Sequence, residues 1–489
     1  MCSRKLTKNK TFVLLFSLLY FVSFLLLFSR RGVGFYFHPD CKDSFMDLFN
    51  MAVSPVNSSY PPLSMIPFKL LHLLPHPDVA LASFDLRANY CGAFFLILYM
   101  FAFSSVFLYT MYFSVKGETK RKVFYSFLFL FSGIVLWMTE RGNIMSFAFL
   151  LSLLFVVLYC DGDEKKKKIS YVLLALAISL KLYPGAFILL LLEKKDFKGM
   201  VYVVLETLVI FVFSYFVCKY LDFIIIFEQD MGLFEYMKSA KSYVEVLFHL
   251  AAVFLITAAG CFVIYEIYRQ NWKFMKIFSA VCFFVFALLV PVLYFAKGVN
   301  LLSFVSAVFV PIANALEFGK ERTPVVDTVN VSSKNFFLLL NFLFGKKDSI
   351  ASARPLNLFK VLCVGVCIFS FVYNKKIWKK LTCASLLCIY VPDFSGFYLL
   401  VYFMIPLLFF INDMDNGRCD YIYACLFAVI TTFLLVPFKL EGGLYYGIIT
   451  GSFVVISLCV FCLLLLLFAN AVYELMSKNG RKNEQTISS

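Results

Sequence analysis

Five short polar stretches interrupt an otherwise apolar chain, and their residue types suit moving a group from a phosphate to a hydroxyl. The first, His38-Pro39-Asp40-Cys41-Lys42-Asp43-Ser44-Phe45-Met46-Asp47, carries three carboxylates, and Tyr60-Pro61-Pro62-Leu63 follows it. Thr139-Glu140-Arg141-Gly142-Asn143, Lys181-Leu182-Tyr183-Pro184 and Pro392-Asp393-Phe394-Ser395-Gly396-Phe397-Tyr398 come later. A carboxylate can take a proton from a hydroxyl, and a cation can hold a phosphate leaving group by charge-assisted hydrogen bonds. Asp47 and Asp43 are therefore the candidate catalytic residues, Arg141 and Lys181 the candidate donor-phosphate ligands, and Asn143, Tyr183, Tyr398 and His38 the candidate substrate-binding groups. Asp47 is preferred as base because Leu48, Phe49 and Met51-Ala52-Val53 read as a helix returning to the membrane surface. Asp40, after a proline, reads as a turn or cap residue, and Glu140 as a partner of Arg141. Arg141 and Lys181 also suit a plainer role as snorkelling anchors at the headgroups.

The elements that must position these groups are set by composition. Of 489 residues, 62% are hydrophobic and 15% charged, with a mean hydropathy of +0.85. Soluble domains run at about 45–50% apolar, and disordered chains lie further the other way, so both classes are excluded. At ~20 residues per span, the apolar segments predict an all-α polytopic bundle of about 11–14 transmembrane helices in one domain, residues 1–489. Spans are expected near 11–28, 92–114, 124–138, 144–160, 169–181, 184–193, 199–218, 245–267, 276–296, 357–373, 380–391, 397–411, 421–436 and 446–469, the two around Lys181 being short. The 15 cysteines lie mostly inside apolar runs and read as core residues. The four histidines give a zinc site little support, so no metal is expected; no cofactor is expected either.

Lysine and arginine placement predicts orientation. More than half of the 45 basic residues fall in alternate loops: 4–10, 116–122, 165–168, 194–198, 269–276, 375–380, Arg418 and 478–482. The positive-inside rule puts those loops and both termini in the cytoplasm, and all five polar stretches then face out. The net charge of +15 is mostly this bias, so membrane lipids, not nucleic acid, are the expected partners. The protein is expected in the cell membrane as a multi-pass protein, a bacterial inner membrane. Three long outer stretches result: a first catalytic loop at 29–91, a loop at 219–244 and an insertion at 297–356. Their apolar runs read either as loosely ordered loops or as amphipathic helices in the outer interface.

The order of these motifs resembles the polyprenol-phosphate-dependent GT-C membrane glycosyltransferases, specifically glycosyltransferase family 87. The likeness rests on Met46-Asp47-Leu48-Phe49-Asn50, Tyr60-Pro61-Pro62-Leu63, Arg141-Gly142-Asn143, Lys181-Leu182-Tyr183-Pro184, and Ser395-Gly396-Phe397-Tyr398 ahead of Pro406. It implies a GT-C-type bundle and an inverting, metal-independent transfer of a hexose, mannose by preference. The donor would be a polyprenyl-phosphate-linked sugar, the acceptor a glycolipid or polysaccharide on the outer face, and Asp47 the general base. Arg141 beside Gly142-Asn143, the phenylalanine-rich composition and the 297–356 insertion depart from the commoner pattern and bear on the substrate. Alternatives are an O-antigen-type polysaccharide polymerase, expected to rely on outer arginines, and a polytopic lipid or sugar transporter, expected to carry mid-span charges.

Overall fold

The structure, a computed structural model, describes residues 7–30, 47, 60–72, 90–227, 331–344, 353–392, 395–415, 417, 419–433, 439–441 and 448–487. Its helices are α1 (Lys8–Arg30), α2 (Pro62–His72), α3 (Tyr90–Ser114), α4 (Thr119–Leu130), α5 (Gly133–Glu140), α6 (Met145–Asp161), α7 (Glu164–Leu180) and α8 (Ile188–Glu193). They continue with α9 (Phe197–Phe227), α10 (Ser333–Leu343), α11 (Ala353–Tyr373), α12 (Ile377–Tyr390), α13 (Met404–Asn412), α14 (Asp420–Thr432) and α15 (Gly451–Ile487). Tight 3-10 turns at Tyr183–Phe187 and Phe397–Phe403 lead into α8 and α13. The expected spans at 245–267 and 276–296, and His38, Asp40 and Asp43, lie outside the described residues.

Hydropathy explains the helices and their exposed faces. Ile97–Ser114, Phe197–Cys218, Pro355–Tyr373 and Gly451–Ser477 are each long and apolar enough to cross a bilayer. Their surfaces carry large apolar side chains, such as Phe101 and Phe113 on α3, Leu208 and Phe216 on α9, and Leu358 and Val361 on α11. In a lipid solvent such a surface costs nothing, whereas every backbone polar group must be satisfied within the helix. Among the described residues the four become five if α4 and α5 count as one bent span, and shorter apolar helices fill the interior. The expected helix at 124–138 is thus two helices meeting at 53°, broken at Phe131-Ser132.

The described residues are all-α as expected, apart from one short ribbon. Strands β1 (Lys439–Glu441) and β2 (Ile448–Thr450) pair antiparallel, Leu440 opposite Ile449, and α15 starts only after them. The expected span at 446–469 therefore begins at Gly451, because Ile448-Ile449-Thr450 is a β-branched run that suits a strand better than a helix start.

Parts of two of the long stretches expected on the outer side are docked on the bundle. On α2, Met65, Phe68 and Lys69 are buried against α7 and α9, and the Ser64 hydroxyl donates to the Leu180 carbonyl. Within 297–356, α10 packs on α11; Phe336 stacks on Phe461 with centroids 4.6 Å apart, and the Val331 amide donates to the Ser395 carbonyl at 2.7 Å.

Helices α6 and α7 form an antiparallel hairpin, since Asp163 accepts from the Lys165 and Lys166 amides at 2.7 and 3.1 Å and caps α7. Asn143 and Lys181 consequently sit at one end of the bundle and Lys165–Lys168 at the other. The opposite end gathers the basic loops. Lys8 reaches Asp413 at 3.2 Å and Asp420 at 3.4 Å, Lys376 reaches the same two carboxylates at 2.9 and 3.4 Å, and the Trp378 indole donates to Asp413 at 3.1 Å. Arg121 donates to the Ile411 carbonyl, and Lys380 pairs with Glu193. Burial alone would raise the Asp413 carboxyl, but hydrogen bonds from Lys376, the Asp415 amide and Lys8 outweigh it and hold it at about 2. Among the described residues, the basic loops around Lys8, Arg121, Lys165–Lys168 and Lys376–Lys380 therefore lie together, away from the polar stretches.

One close approach sets the height of α5. A Cβ on Gly133 would overlap the Thr432 carbonyl oxygen and come within 2.7 Å of the Phe433 Cβ. Phe433 closes α14 in the left-handed region, φ 54°, a cost of about 1–2 kcal/mol. It is held there by stacking on Trp137 at 5.1 Å and meeting Phe397 edge-on at 4.9 Å. Gly133→Ala must push α5 off α14 or twist both. Overpacking of this kind costs about 1–3 kcal/mol, so the unfolding midpoint in detergent should fall measurably, and an unchanged midpoint would show that the two helices do not touch.

Candidate functional site

The polar end of the bundle is built from links between helices, where side chains are not committed to the helix ladder. Helix α5 ends at Glu140, and Gly142 follows with φ 60°, a left-handed turn that glycine adopts without a Cβ penalty. This turn lets Arg141 and Asn143, either side of it, address one carboxylate. Arg141 Nη2 donates to Asp47 Oδ1 at 2.8 Å, and Asn143 Nδ2 donates to Asp47 Oδ2 at 2.9 Å. The Asp47 amide adds a bond to the Arg141 carbonyl at 3.2 Å. Both carboxylate oxygens and the backbone are therefore fixed, by residues 94 and 96 positions away. Arg141 pairs with Asp47; the Glu140 side chain, expected to pair with it, lies outside the described groups.

Asn143 is itself locked. Its Oδ1 accepts from the Met145 amide at 2.9 Å, which opens α6, and its carbonyl accepts from the Ser146 hydroxyl at 3.0 Å and from the Tyr99 hydroxyl at 3.3 Å. Its Nδ2 also reaches the Tyr60 hydroxyl at 3.4 Å. The amide expected to bind substrate is in this arrangement spent on holding Asp47, and the residue is 2% exposed.

Lys181 follows the last turn of α7, in the link to the Tyr183–Phe187 turn. Its Nζ lies 3.6 Å from the centre of the Tyr60 ring and 6.0 Å from that of Tyr183. Burial pushes the Lys181 ammonium down, to about 7, against the pull of the Asp47 charge. Burial and the same carboxylate hold the Tyr60 phenol well above its ordinary value, so it stays protonated. Tyr398, the second residue of the Phe397–Phe403 turn, lies within electrostatic reach of Tyr183, Tyr60, Asp47 and Arg141. Six of the eight residues singled out from the sequence thus share one end of the bundle: Asp47, Arg141, Asn143, Lys181, Tyr183 and Tyr398. Asp43 and His38 lie outside the described residues. Among the described residues no group of three His, Cys, Asp or Glu side chains is placed to hold a metal ion.

Two residues were not singled out as candidates. Tyr60 belongs to a quoted motif, but nothing in its spacing shows that its ring meets Lys181. Glu206 is the lone acid in the Val-Leu-Ile run of α9, 1% exposed, with no hydrogen-bond partner for its Oε2. A single acid in an apolar run was the available signal, and a buried intramembrane carboxyl is unusual enough to mark it.

In chemical terms the cluster offers a carboxylate held at both oxygens, a guanidinium on that carboxylate, and an ammonium within range of its charge. Two cations against one carboxylate leave a single positive charge, which matches a phosphodiester. Residues 59–291 match the family model described as Glycosyltransferase family 87, a little under half of the chain, and the matched region includes Tyr60, Arg141, Asn143, Lys181 and Tyr183. The match supports a membrane glycosyltransferase. No curated protein and no solved structure matches the chain.

Proposed function

From a chain similar to glycosyltransferase family 87 over residues 59–291, we propose a GT-C-type transfer of a hexose, mannose by preference. The donor is a polyprenyl-phosphate-linked sugar and the acceptor a glycolipid or polysaccharide at the outer face of the cell membrane, with the basic loops and both termini cytoplasmic. The observation that carries this reading is the doubly held Asp47 carboxylate beside two cations, Arg141 and Lys181.

In the step itself, the acceptor oxygen attacks the anomeric carbon, and Asp47 takes its proton as the new C–O bond forms. The bond from that carbon to the phosphate oxygen breaks, and polyprenyl phosphate departs with the bonding pair. Its charge rises from one to two as it leaves, so it needs cations more than it needs a proton. Lys181 and Arg141 supply them, and an Arg141 drawn toward phosphate releases one oxygen of Asp47 for the acceptor hydroxyl. Asn143 keeps hold of the other.

The reading is tested by incubating purified protein with radiolabelled polyprenyl-phosphate hexoses and a panel of glycolipid acceptors. Label is expected in the glycolipid fraction from the lipid-linked donor. Transfer only from a nucleotide sugar would overturn the donor assignment.

A further inference from the structure

Tyr60 touches both halves of the cluster. Its ring covers the Lys181 ammonium at 3.6 Å, and its hydroxyl accepts from the Asn143 amide at 3.4 Å, the same amide that donates to Asp47. The residue is fixed on several sides. Pro61 and Pro62 restrict the chain after it, its ring meets Phe68 edge-on at 6.2 Å, the Cys218 thiol donates to the Pro62 carbonyl, and the Ser64 hydroxyl donates to the carbonyl of Leu180, the residue before Lys181. The ring and the ammonium are thus carried by two links that are bonded to each other.

We propose that Tyr60 is a positioning residue that couples the donor-phosphate cation to the carboxylate: its ring face holds the Lys181 ammonium in place, and its hydroxyl helps fix the Asn143 amide that aims Asp47. This inference rests on the glycosyltransferase reading above. An ammonium on a flexible four-carbon stem is poorly placed by itself, and an aromatic face attracts it most where water is scarce. The charged and titratable groups around the pair are Asp47, Arg141, Tyr183 and Tyr398. Of these Asp47 pulls Lys181 toward itself, so the ring also keeps the ammonium from collapsing onto the carboxylate and leaves both available to substrate.

The two contacts separate in two variants. Tyr60→Phe keeps the ring and loses the hydroxyl; Tyr60→Leu loses both. With the full chain in nanodiscs, dissociation constants for a short-chain polyprenyl phosphate and turnover of the matching lipid-linked hexose are measured for wild type, both variants, Lys181→Met and the double variant Tyr60→Leu/Lys181→Met. Tyr60→Leu should weaken polyprenyl phosphate binding roughly tenfold. Tyr60→Phe should bind within about twofold of wild type but turn over roughly five- to tenfold more slowly, as for loss of one hydrogen bond. In the Lys181→Met background Tyr60→Leu should weaken binding by less than about twofold further, because the ring then has no cation to hold. Equal binding by Tyr60→Leu and wild type, or full additivity in the double variant, overturns the coupling. A wild-type protein that turns over sugar but binds no polyprenyl phosphate overturns the donor reading instead, and the two failures are told apart by that control.

Discussion

Asp47→Asn is expected to reduce glycosyl transfer by about 10²–10⁴-fold, the usual loss on removing a general base, while polyprenyl phosphate binding changes little. The amide has nearly the same shape but cannot take the acceptor proton. The geometry adds a second handicap. Asp47 accepts from Arg141 on one oxygen and from Asn143 on the other, whereas an amide has one acceptor and must turn its own N–H groups toward one of those donors. Its oxygen should follow the stronger, charged donor Arg141, leaving the Asn143 amide facing another amide nitrogen. Loss of rate with retained phosphate binding, measured by turnover and titration on one preparation, is the expected pattern. Asp40→Asn should be tolerated. Normal turnover by Asp47→Asn with a dead Asp43→Asn moves the base to Asp43, and full activity in all three variants removes the glycosyltransferase reading.

Arg141→Ala and Lys181→Ala should each cost about 1.5–3 kcal/mol of donor interaction, tenfold or more, but in different kinetic constants. Lys181→Ala should appear chiefly in the donor KM. Arg141→Ala should depress kcat as well, because the Arg141 guanidinium also holds Asp47 through a 2.8 Å ion pair. The pH dependence separates them further. Burial places the Lys181 ammonium at about 7, so it is charged below that value and loses its charge above it; a bound phosphate raises the value by favouring the charged form. Donor KM is therefore expected to rise with pH above about 7, and Lys181→Arg, which stays protonated, should flatten that rise while keeping part of the activity. Wild-type kinetics in both alanine variants would make the two residues headgroup anchors.

Much of the architecture is legible in the sequence because membrane helices are written in runs of apolar residues. The run expected at 92–114 is the helix Tyr90–Ser114, and that at 357–373 is Ala353–Tyr373. Lysine counting also groups Lys8, Arg121, Lys376 and Lys380, which the fold brings to one end. What hydropathy does not contain is direction within a run. The break between Leu130 and Gly133 escapes a hydropathy window because one serine and one glycine barely lower the average of an apolar run; the Ser132-Gly133 pair is its local mark, and it swings α5 by 53°. At the site, residue types point to carboxylate and cation chemistry, but the pairing of Asp47 with Arg141 and Asn143 spans more than 90 positions. Sequence spacing carries no information about contacts at that range. The same limit hides that the Asn143 amide donates to Asp47 and that the Tyr60 ring lies over Lys181.

The contact of Lys8 with Asp413 joins residues 405 positions apart, and this has a consequence for how the chain is made. At about 5–20 residues per second of synthesis, α1 leaves the ribosome and enters the bilayer tens of seconds before its anionic partners exist. During that interval the Lys8 ammonium, 1% exposed in the finished protein, must remain at the headgroups. It is withdrawn only when α14 arrives and packs along α1. Closure of the bundle is thus a late event that joins the first helix to some of the last, and a chain truncated before Asp413 would leave the Lys8 ammonium of α1 without this carboxylate.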